Sequence, residues 1–385
     1  MKKYSVPDAL FGFGAHFRID KSRPSGYDGL KSYANVSKNA LIPLSVRFFM
    51  ASITLKDVAK VAGVSYATVS RAISGSPEIS EETRRRILKL CKEMGYTPNS
   101  IARSMVKRCT NILGLIVPSL NNPFMSELTA DLEIYARSRG YNLMVCNSSY
   151  SHDQEMEVFS LLIGRQVDGV IMIPVGHESY ESLSMLTAQV PTVFISENMQ
   201  DYPENYVSVD NFRGMQIAAE YLYSLGHRDI LYFGARSDSK THELRLEGYL
   251  STCEKLGLTP QVLRSSYSRS SREVGYALAG EYFSRPHKET AILCSADMLA
   301  IGVKQAAYEA GIRIPKEISL MGFDNISFSA LPEIDLTTIN QPTQQMATSA
   351  VDMLLDHIRD PEAERATLIL PPSLIERKSC RPVRG

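Results

Sequence analysis

Residues 54–75 have the sequence TLKDVAKVAGVSYATVSRAISG, and this stretch decides the fold of the first part of the chain. Its apolar residues recur at the spacing of two short amphipathic helices. Gly63 separates the two helices, and a glycine permits the tight turn that such a pair requires. Thr54 and Ser65 precede the two helices as N-caps, and Ser80 begins a third helix. This order of helix, turn, helix and supporting helix predicts a helix-turn-helix unit.

The outward face of the second helix carries the residues that can contact DNA. With Val69 facing inward, the exposed positions are Tyr66, Ala67, Ser70 and Arg71. In a helix-turn-helix unit the N-terminal part of the second helix enters the major groove, where an arginine can contact O6 and N7 of a guanine. The alternatives are that Thr68 and Ser70 form only local capping bonds, and that Arg71 is a solvated surface charge.

The sequence from Thr54 to Met105 resembles the DNA-binding domain of the lactose/galactose-repressor family of bacterial transcription regulators. The resemblance implies that Tyr66, Ala67 and Arg71 contact the bases of a double-stranded DNA operator. It also implies phosphate contacts by a second set of residues, namely Thr54, Ser65, Thr68, Ser70 and Asn99.

Residues 98–110 form a linker that is too short to be a stable helix alone in water. In the family, the corresponding segment is a hinge helix that orders on DNA and inserts an apolar side chain into the minor groove. The resemblance places Met105 where the family usually has Leu, with Arg103 and Lys107 beside phosphates. The alternative is an inert linker.

The net charge of zero conceals a charge asymmetry along the chain. Residues 50–110 contain eleven Lys and Arg against five Asp and Glu, whereas residues 111–385 contain 23 against 34. A basic unit joined to an acidic body suits a polyanionic partner, although a solvated basic surface explains the charge equally well. The six cysteines have no CxxC spacing, which argues against disulfides or zinc and favours a reducing, cytoplasmic compartment. No apolar run long enough to span a membrane occurs.

Residues 1–49 show no sustained helical or strand periodicity, because glycines and prolines interrupt them repeatedly. They also lack the long apolar core of a signal peptide. A clean amphipathic pattern begins directly after Met50. We therefore expect residues 1–49 to be an upstream translation or a disordered arm, and residues 50–97 to be the DNA-binding headpiece.

From residue 111 onward, continuous apolar strands alternate with helical segments, which predicts parallel sheets covered by helices on both faces. The number of units suffices for two sheets, as in the family's effector domain, which resembles periplasmic sugar-binding proteins. The predicted fold class is therefore an all-α helix-turn-helix domain followed by an α/β domain of two Rossmann-like lobes. We expect this domain at residues 111–380, with an N-lobe of about 111–208 plus 341–370 and a C-lobe of about 209–340 plus the C-terminal end.

Ligands of open α/β sheets bind beyond the carboxyl ends of the strands. The candidate residues at or near such ends are Asn122, Phe124, Arg245, Asp297 and Asp324. Carboxylate, guanidinium and amide groups around an aromatic ring suit a polyhydroxylated ligand. The resemblance implies that Arg245 and Asp324 hold a small effector, with Phe124 and Asp297 at further pocket positions.

Several alternatives remain open for these residues. Asp297 fits an N-cap, Asp324 fits a tight turn, and Arg245, at the predicted start of a helix, could pair with Glu243 or Glu247 at the surface. A further candidate is Ser196, which stands where the lactose repressor has Asp, so the ligand need not be a β-galactoside. We expect a sugar or sugar phosphate as effector, with a nucleobase as the alternative.

The combined pattern favours a ligand-responsive transcriptional regulator, most simply a dimeric repressor of carbohydrate genes on a near-palindromic operator. The alternatives are a solute-binding protein, an enzyme, a regulator governed by a partner protein as in the catabolite-control branch, and a purine-responsive repressor. We find no GxSxG, P-loop or HExxH motif and therefore expect neither catalysis nor a cofactor, and the scattered histidines predict no metal site. No leucine heptad follows at the C-terminal end, so we expect a dimer. Because no apolar run is long enough to span a membrane, we expect no membrane association.

Overall fold

The computed structural model describes residues 53–96, 109–176, 179–196, 205–234, 239–265 and 271–383. The arm predicted at residues 1–49 lies outside this part of the chain. The residues form two compact units, which divide between Pro98 and Asn99.

In its described residues the first unit is a headpiece of three helices, α1 (Leu55–Ala62), α2 (Tyr66–Ser74) and α3 (Glu81–Glu93). Gly63 ends α1 at a φ of 67°, a left-handed conformation that glycine adopts without steric cost. The three helices enclose a small core of Val58, Ala59, Val69, Ala72, Ile87 and Cys91. Because α2 contributes only Val69 and Ala72 to this core, its opposite face is left to solvent.

The second unit contains twelve strands in the part of it that the structure describes. They are β1 (Ile112–Val117), β2 (Asn142–Asn147), β3 (Gly169–Met172), β4 (Thr192–Ile195), β5 (Asn205–Val209), β6 (Ile230–Gly234), β7 (Gln261–Arg264), β8 (Ala291–Cys294), β9 (Ser319–Asp324), β10 (Thr337–Asn340), β11 (Thr367–Leu370) and β12 (Ser373–Ile375). One sheet has the order β11-β5-β4-β3-β1-β2, and the other has the order β12-β10-β9-β8-β6-β7. Every pairing is parallel except that of β10 with β12.

The helices of this unit follow the strands along the chain. Among the described residues they are α4 (Pro123–Ser138), α5 (His152–Gly164), α6 (Ser179–Thr187), α7 (Asn211–Ser224), α8 (Lys240–Leu256), α9 (Arg272–Phe283), α10 (Asp297–Glu309) and α11 (Thr343–Arg359). They cover both faces of each sheet. Leu115 and Val117 of β1 belong to one apolar cluster while Ile116 between them belongs to another, and Leu293 and Ile292 of β8 divide in the same way. None of these helices has the length and apolarity needed to cross a membrane.

The chain passes between the two sheets three times, after β5, after β10 and after β11. We call the part built on the first sheet the N-lobe and the part built on the second the C-lobe. Hydrogen bonds between described residues join them directly: the Ser327 amide donates to Glu127 Oε1 at 2.9 Å, and Thr241 Oγ1 donates to the Ser196 carbonyl at 3.0 Å.

The structure adds elements that the apolar pattern did not predict, namely β5, β7, β10, β11, β12, α6 and α11. Strands β5 (NYVSV) and β10 (TTIN) carry polar residues and no continuous apolar run although they are almost wholly buried. The helix predicted to begin at Arg245 begins at Lys240 instead. Its N-cap is Ser239, a preferred N-cap residue type, although this serine makes no capping side-chain bond.

Candidate DNA-reading helix and effector cleft

The starts of α1 and α2 are held by N-cap side-chain bonds. Thr54 and Asp57 form a capping box in which the Thr54 amide donates to Asp57 Oδ2 at 2.8 Å. The bonds from Thr54 lower the pKa of Asp57. Ser65 Oγ accepts from the Thr68 amide at 3.1 Å and lies 2.9 Å from Thr68 Oγ1. The hydroxyls of Thr54, Ser65 and Thr68 therefore already serve local capping, the alternative weighed for Thr68.

The outward face of α2 holds the residues expected to contact bases. Tyr66 is 52% exposed although it is a large aromatic residue, Ala67 and Arg71 are also exposed, and Ser70 is half-buried. The Arg71 guanidinium is not simply solvated, because its Nε lies 3.3 Å from Glu78 Oε2. The contact joins Nε of Arg71 to Glu78, which lies in the loop that follows α2. Sequence inspection did not single out Glu78.

Two arginines of α3 donate hydrogen bonds to backbone carbonyls on either side of α2. Arg86 Nη2 donates to the Ala62 carbonyl at the end of α1, at 2.8 Å. Arg84 Nη2 donates to the Ser76 carbonyl after α2, at 2.7 Å. These charge-assisted bonds fix both ends of the turn-helix segment, so part of the basic charge of the unit is structural. Asn99, Arg103, Met105 and Lys107 lie outside the described residues.

Arg245 is the centre of the polar site between the lobes. Its side chain is 4% exposed, and its Nε donates to Asn211 Oδ1 at 2.8 Å. Its Nη1 donates to the Ser295 carbonyl at 2.6 Å and lies 3.5 Å from Asp324 Oδ1. The guanidinium carbon sits 3.9 Å above the ring centre of Phe323. A buried charge needs such a set of partners, and the alternative of a surface ion pair with Glu243 or Glu247 is wrong.

Asp324 lies at the carboxyl end of β9 and is 8% exposed. Burial raises the pKa of its carboxyl to about 7, because desolvation outweighs the opposing effect of Arg245, and the nearby Asp297 raises it further. Asp324 and Asn325 both have positive φ, so the residue also forms the tight turn considered as an alternative. The two roles coexist, because the turn aims the carboxyl back at Arg245.

Gln341 is a site residue that sequence inspection missed. It follows β10, is 3% exposed, and donates from Nε2 to Asp324 Oδ1 at 2.7 Å. Its Oε1 is buried and has no hydrogen-bond partner among the described residues. Asn211, the partner of Arg245, follows β5 and was missed as well. We call the expectation that ligands bind beyond the carboxyl ends of strands the strand-end rule. It would have found both residues if β5 and β10 had been recognised.

Asp297 has a different role from the one expected. It is fully buried, and both carboxylate oxygens accept bonds from the C-lobe itself: Oδ1 from Thr338 Oγ1 at 2.5 Å, and Oδ2 from Ser329 Oγ at 2.6 Å and the Ile326 amide at 3.0 Å. Burial raises its pKa. It is not an N-cap either, since Ala296 holds that position in α10. With no exposed surface, Asp297 ties β10 to the turn after β9 rather than facing a ligand.

The N-lobe contributes three of the expected residues. Asn122 is the N-cap of α4, where its Oδ1 accepts from the Phe124 amide at 3.0 Å. Phe124 is 6% exposed and belongs to the apolar cluster of the N-lobe, so it is mainly a core residue. Ser196 has a φ of 71°, a conformation that costs a non-glycine residue about 1–3 kcal/mol. Its carbonyl accepts the bond from Thr241 that joins the lobes.

We define the effector cleft by five residues of this arrangement: Ser196, Asn211, Arg245, Asp324 and Gln341. Arg245 supplies donors, Asp324 and Gln341 Oε1 supply acceptors, and Ser196 is the N-lobe member of the set. In the described residues no group of three or more His, Cys, Asp or Glu could hold a metal ion. All six cysteines have free thiols.

Comparison with known proteins identifies the chain. Residues 54–99 match the model of bacterial regulatory proteins of the lacI family, and residues 219–380 match a periplasmic binding protein-like domain. The regulator DegA of Bacillus subtilis is 34% identical over 86% of this chain and 98% of its own length. The chain belongs to the LacI family. The ribose operon repressor of Haemophilus influenzae is 31% identical over 85% of this chain and 98% of the relative.

Solved structures agree with this LacI-family assignment. The lac repressor dimer bound to operator and the anti-inducer ONPF has a TM-score of 0.78 and 26% identity, over 86% of this chain and 99% of that one. A LacI-family regulator from Enterococcus faecium with bound ribose has a TM-score of 0.63 and 26% identity, over 71% of this chain and all of that one. The predicted family, the fold class and the function of a ligand-responsive DNA-binding repressor are confirmed. The relatives are transcriptional regulators.

Proposed function

We propose that this LacI-family repressor binds a near-palindromic operator as a homodimer and takes a sugar-like effector in its cleft. The observation that carries the effector class is the buried Arg245–Asp324 pair with Gln341 Oε1 beside it. A guanidinium donates, while a carboxylate and an amide oxygen accept. Neighbouring hydroxyls of one sugar can satisfy both kinds of group, because each hydroxyl donates and accepts. The bound ribose of the Enterococcus faecium regulator supports this class.

A purine base is the second candidate, because relatives named PurR are as similar to this chain as the ribose repressors are. The PurR of Pasteurella multocida is 30% identical over 85% of this chain. Phe124, the aromatic residue expected beside the ligand, is 6% exposed and offers little stacking surface to either class. The preference for a sugar therefore rests on the donors and acceptors around Arg245 and Asp324. Control by a partner protein would leave the cleft without a small-molecule ligand.

Thermal-shift measurements on the full chain with pentoses, hexoses, their phosphates and purine bases test the proposal. A ligand at 100 times its Kd should stabilise the protein by about 2.7 kcal/mol. Arg245→Lys keeps the charge but loses the planar fork, so the shift should disappear in this variant. Arg228→Lys is the matched control, because Arg228 lies outside the cleft and contacts Tyr223. A shift that persists in Arg245→Lys would place the ligand elsewhere, and a shift with purines alone would reverse the choice of class.

For DNA, we propose that Tyr66, Ala67 and Arg71 contact base edges and that the capped starts of α1 and α2, with Ser70, approach phosphates. Helix N-termini carry partial positive charge, which suits this position. The same proposal assigns phosphate contacts to Asn99 and Arg103 and a minor-groove wedge to Met105. We also propose that residues 98–110 are the linker between the headpiece and the body.

A further inference from the structure

Asp168 lies where the body begins, and its carboxylate accepts hydrogen bonds from the last two residues of the linker, Cys109 and Thr110, and from Asn111, the first residue of the body. Oδ1 accepts from the Thr110 amide at 2.7 Å and from Thr110 Oγ1 at 2.9 Å. Oδ2 accepts from the Asn111 amide at 2.7 Å and from Cys109 Sγ at 3.0 Å. Four donors from three consecutive residues therefore converge on one side chain that is 57 to 59 positions away in sequence.

Backbone bonds complete the attachment of this segment. The Asn142 amide donates to the Asn111 carbonyl at 2.9 Å, and the Asp168 amide donates to the Ile112 carbonyl at 2.8 Å. Asn111 has a φ of 55°, a left-handed conformation that Asn tolerates better than most residues, so the chain turns there. The segment is thus bonded to the starts of β1, β2 and β3, three adjacent strands of the N-lobe sheet.

The position of this cluster within the sheet is informative. Because β1, β2 and β3 are parallel, their starts share one edge of the sheet. The residues of the effector cleft follow the other ends of strands. Only residues 97–108 separate Cys109 from Tyr96, the last described residue of the headpiece. Residues 109–111 are therefore the described residues through which the chain is attached to the N-lobe sheet.

We propose that Asp168 is a positioning residue for operator binding, which fixes the point and direction at which the linker leaves the body. The inference rests on the proposed binding of two headpieces to one operator. Headpieces tethered to fixed points bind two half-sites with a high effective concentration, whereas loosened tethers lower that concentration. Ordering one further residue on DNA costs a factor of roughly 5–30 in affinity. Binding to a single half-site does not depend on the tether.

The test compares the affinity of the full-length protein for a two-half-site operator duplex and for a one-half-site duplex, by fluorescence anisotropy. Asp168→Ala should weaken binding to the full site at least fivefold and leave half-site binding unchanged. Thr110→Val, which removes one donor at nearly constant volume, should give a smaller change in the same direction. Asp352→Asn is the control, because it removes a carboxylate of the same lobe that bonds Tyr135 and Arg139 instead.

A purely structural role would lower the midpoint of thermal unfolding but leave the ratio of full-site to half-site affinity unchanged, and that result would overturn the inference. An equal change of this ratio in Asp352→Asn would overturn it too. If Asp168→Ala does not fold, Thr110→Val carries the test. A wild-type protein that binds both duplexes equally would instead refute the proposed two-headpiece binding, so the two failures are distinguishable.

Discussion

Asp324 makes the stability of the body depend on pH in a direction opposite to that of a typical surface carboxyl. Burial raises its pKa from 3.8 to about 7. The folded protein therefore holds a proton that the unfolded chain releases above about pH 4. The stabilisation that this bound proton gives to the folded state is complete below the unfolded pKa and is lost as the pH rises through 7. Ionised Asp324 then lies buried beside Arg245, with Asp297 as a nearby second carboxyl.

The size of the effect follows from the pKa. The difference of about 3 between the folded and unfolded pKa values corresponds to about 4 kcal/mol over the whole titration, at about 1.4 kcal/mol for each factor of ten in proton affinity. Between about pH 5.5 and pH 8, titration of this one group removes about 2 kcal/mol. Asp324→Asn has nearly the same shape but does not ionise. Its free energy of unfolding should thus fall less than that of the wild type over this range, by about 2 kcal/mol.

Urea unfolding of both proteins at several pH values measures this difference. Circular dichroism is the suitable signal, because the chain contains no Trp. Asp360→Asn, which removes an exposed carboxyl of the N-lobe, is the control and should follow the wild-type profile. Parallel profiles for the wild type and Asp324→Asn would refute the reasoning, since they would mean that Asp324 titrates alike in the folded and unfolded chains.

Three further predictions concern packing and DNA contact. A Cβ at Gly302 of α10 would lie 2.1 Å from the Arg272 carbonyl oxygen of α9, so Gly302→Ala should cost about 3 kcal/mol in urea unfolding. The matched Gly280→Ala, with open space around it, should instead stabilise by up to about 1 kcal/mol, and equal losses would contradict the packing. Arg71→Ala should cost about 1–3 kcal/mol and relax discrimination at one base pair per half-site, measured by anisotropy on substituted operators; a uniform loss on all sequences would make it a phosphate contact. Glu78→Gln removes the carboxylate 3.3 Å from Arg71 and should strengthen binding to random-sequence DNA about twofold to fivefold, an effect that should vanish in the Arg71→Ala background.

The headpiece could be predicted almost completely because its signals are local. Thr54 and Asp57 are three residues apart and cap each other, and Gly63 has the positive φ that the turn requires. Val69 and Ala72 are inward at helical spacing, which leaves Tyr66 on the outer face. The Arg71–Glu78 contact crosses from a helix to a loop, and no periodic pattern announces such a pair.

The cleft could be predicted only in part, because its geometry depends on residues that are distant in sequence. The strand-end rule located Asp324 and the resemblance to the family indicated Arg245, and the fold brings the two together. The same rule also selected Asp297, since it gives the place of a residue but not the direction of its side chain. The hydroxyls that donate hydrogen bonds to Asp297 belong to Ser329 and Thr338, which lie more than 30 positions later in the sequence. Gln341 was missed because the polar strand before it has no continuous apolar run.

The central claim is that one small molecule in the cleft changes the affinity of the headpieces for a specific DNA site. The direct measurement begins with the genomic fragment that the protein retains at physiological salt, and determines its Kd with and without the ligand that stabilises the body. Coupling between such sites is typically about 5–150-fold and is reciprocal. We therefore predict that saturating ligand changes the operator Kd at least fivefold, and that operator DNA changes the ligand Kd by the same factor. An operator Kd that is the same with and without saturating ligand would contradict the account.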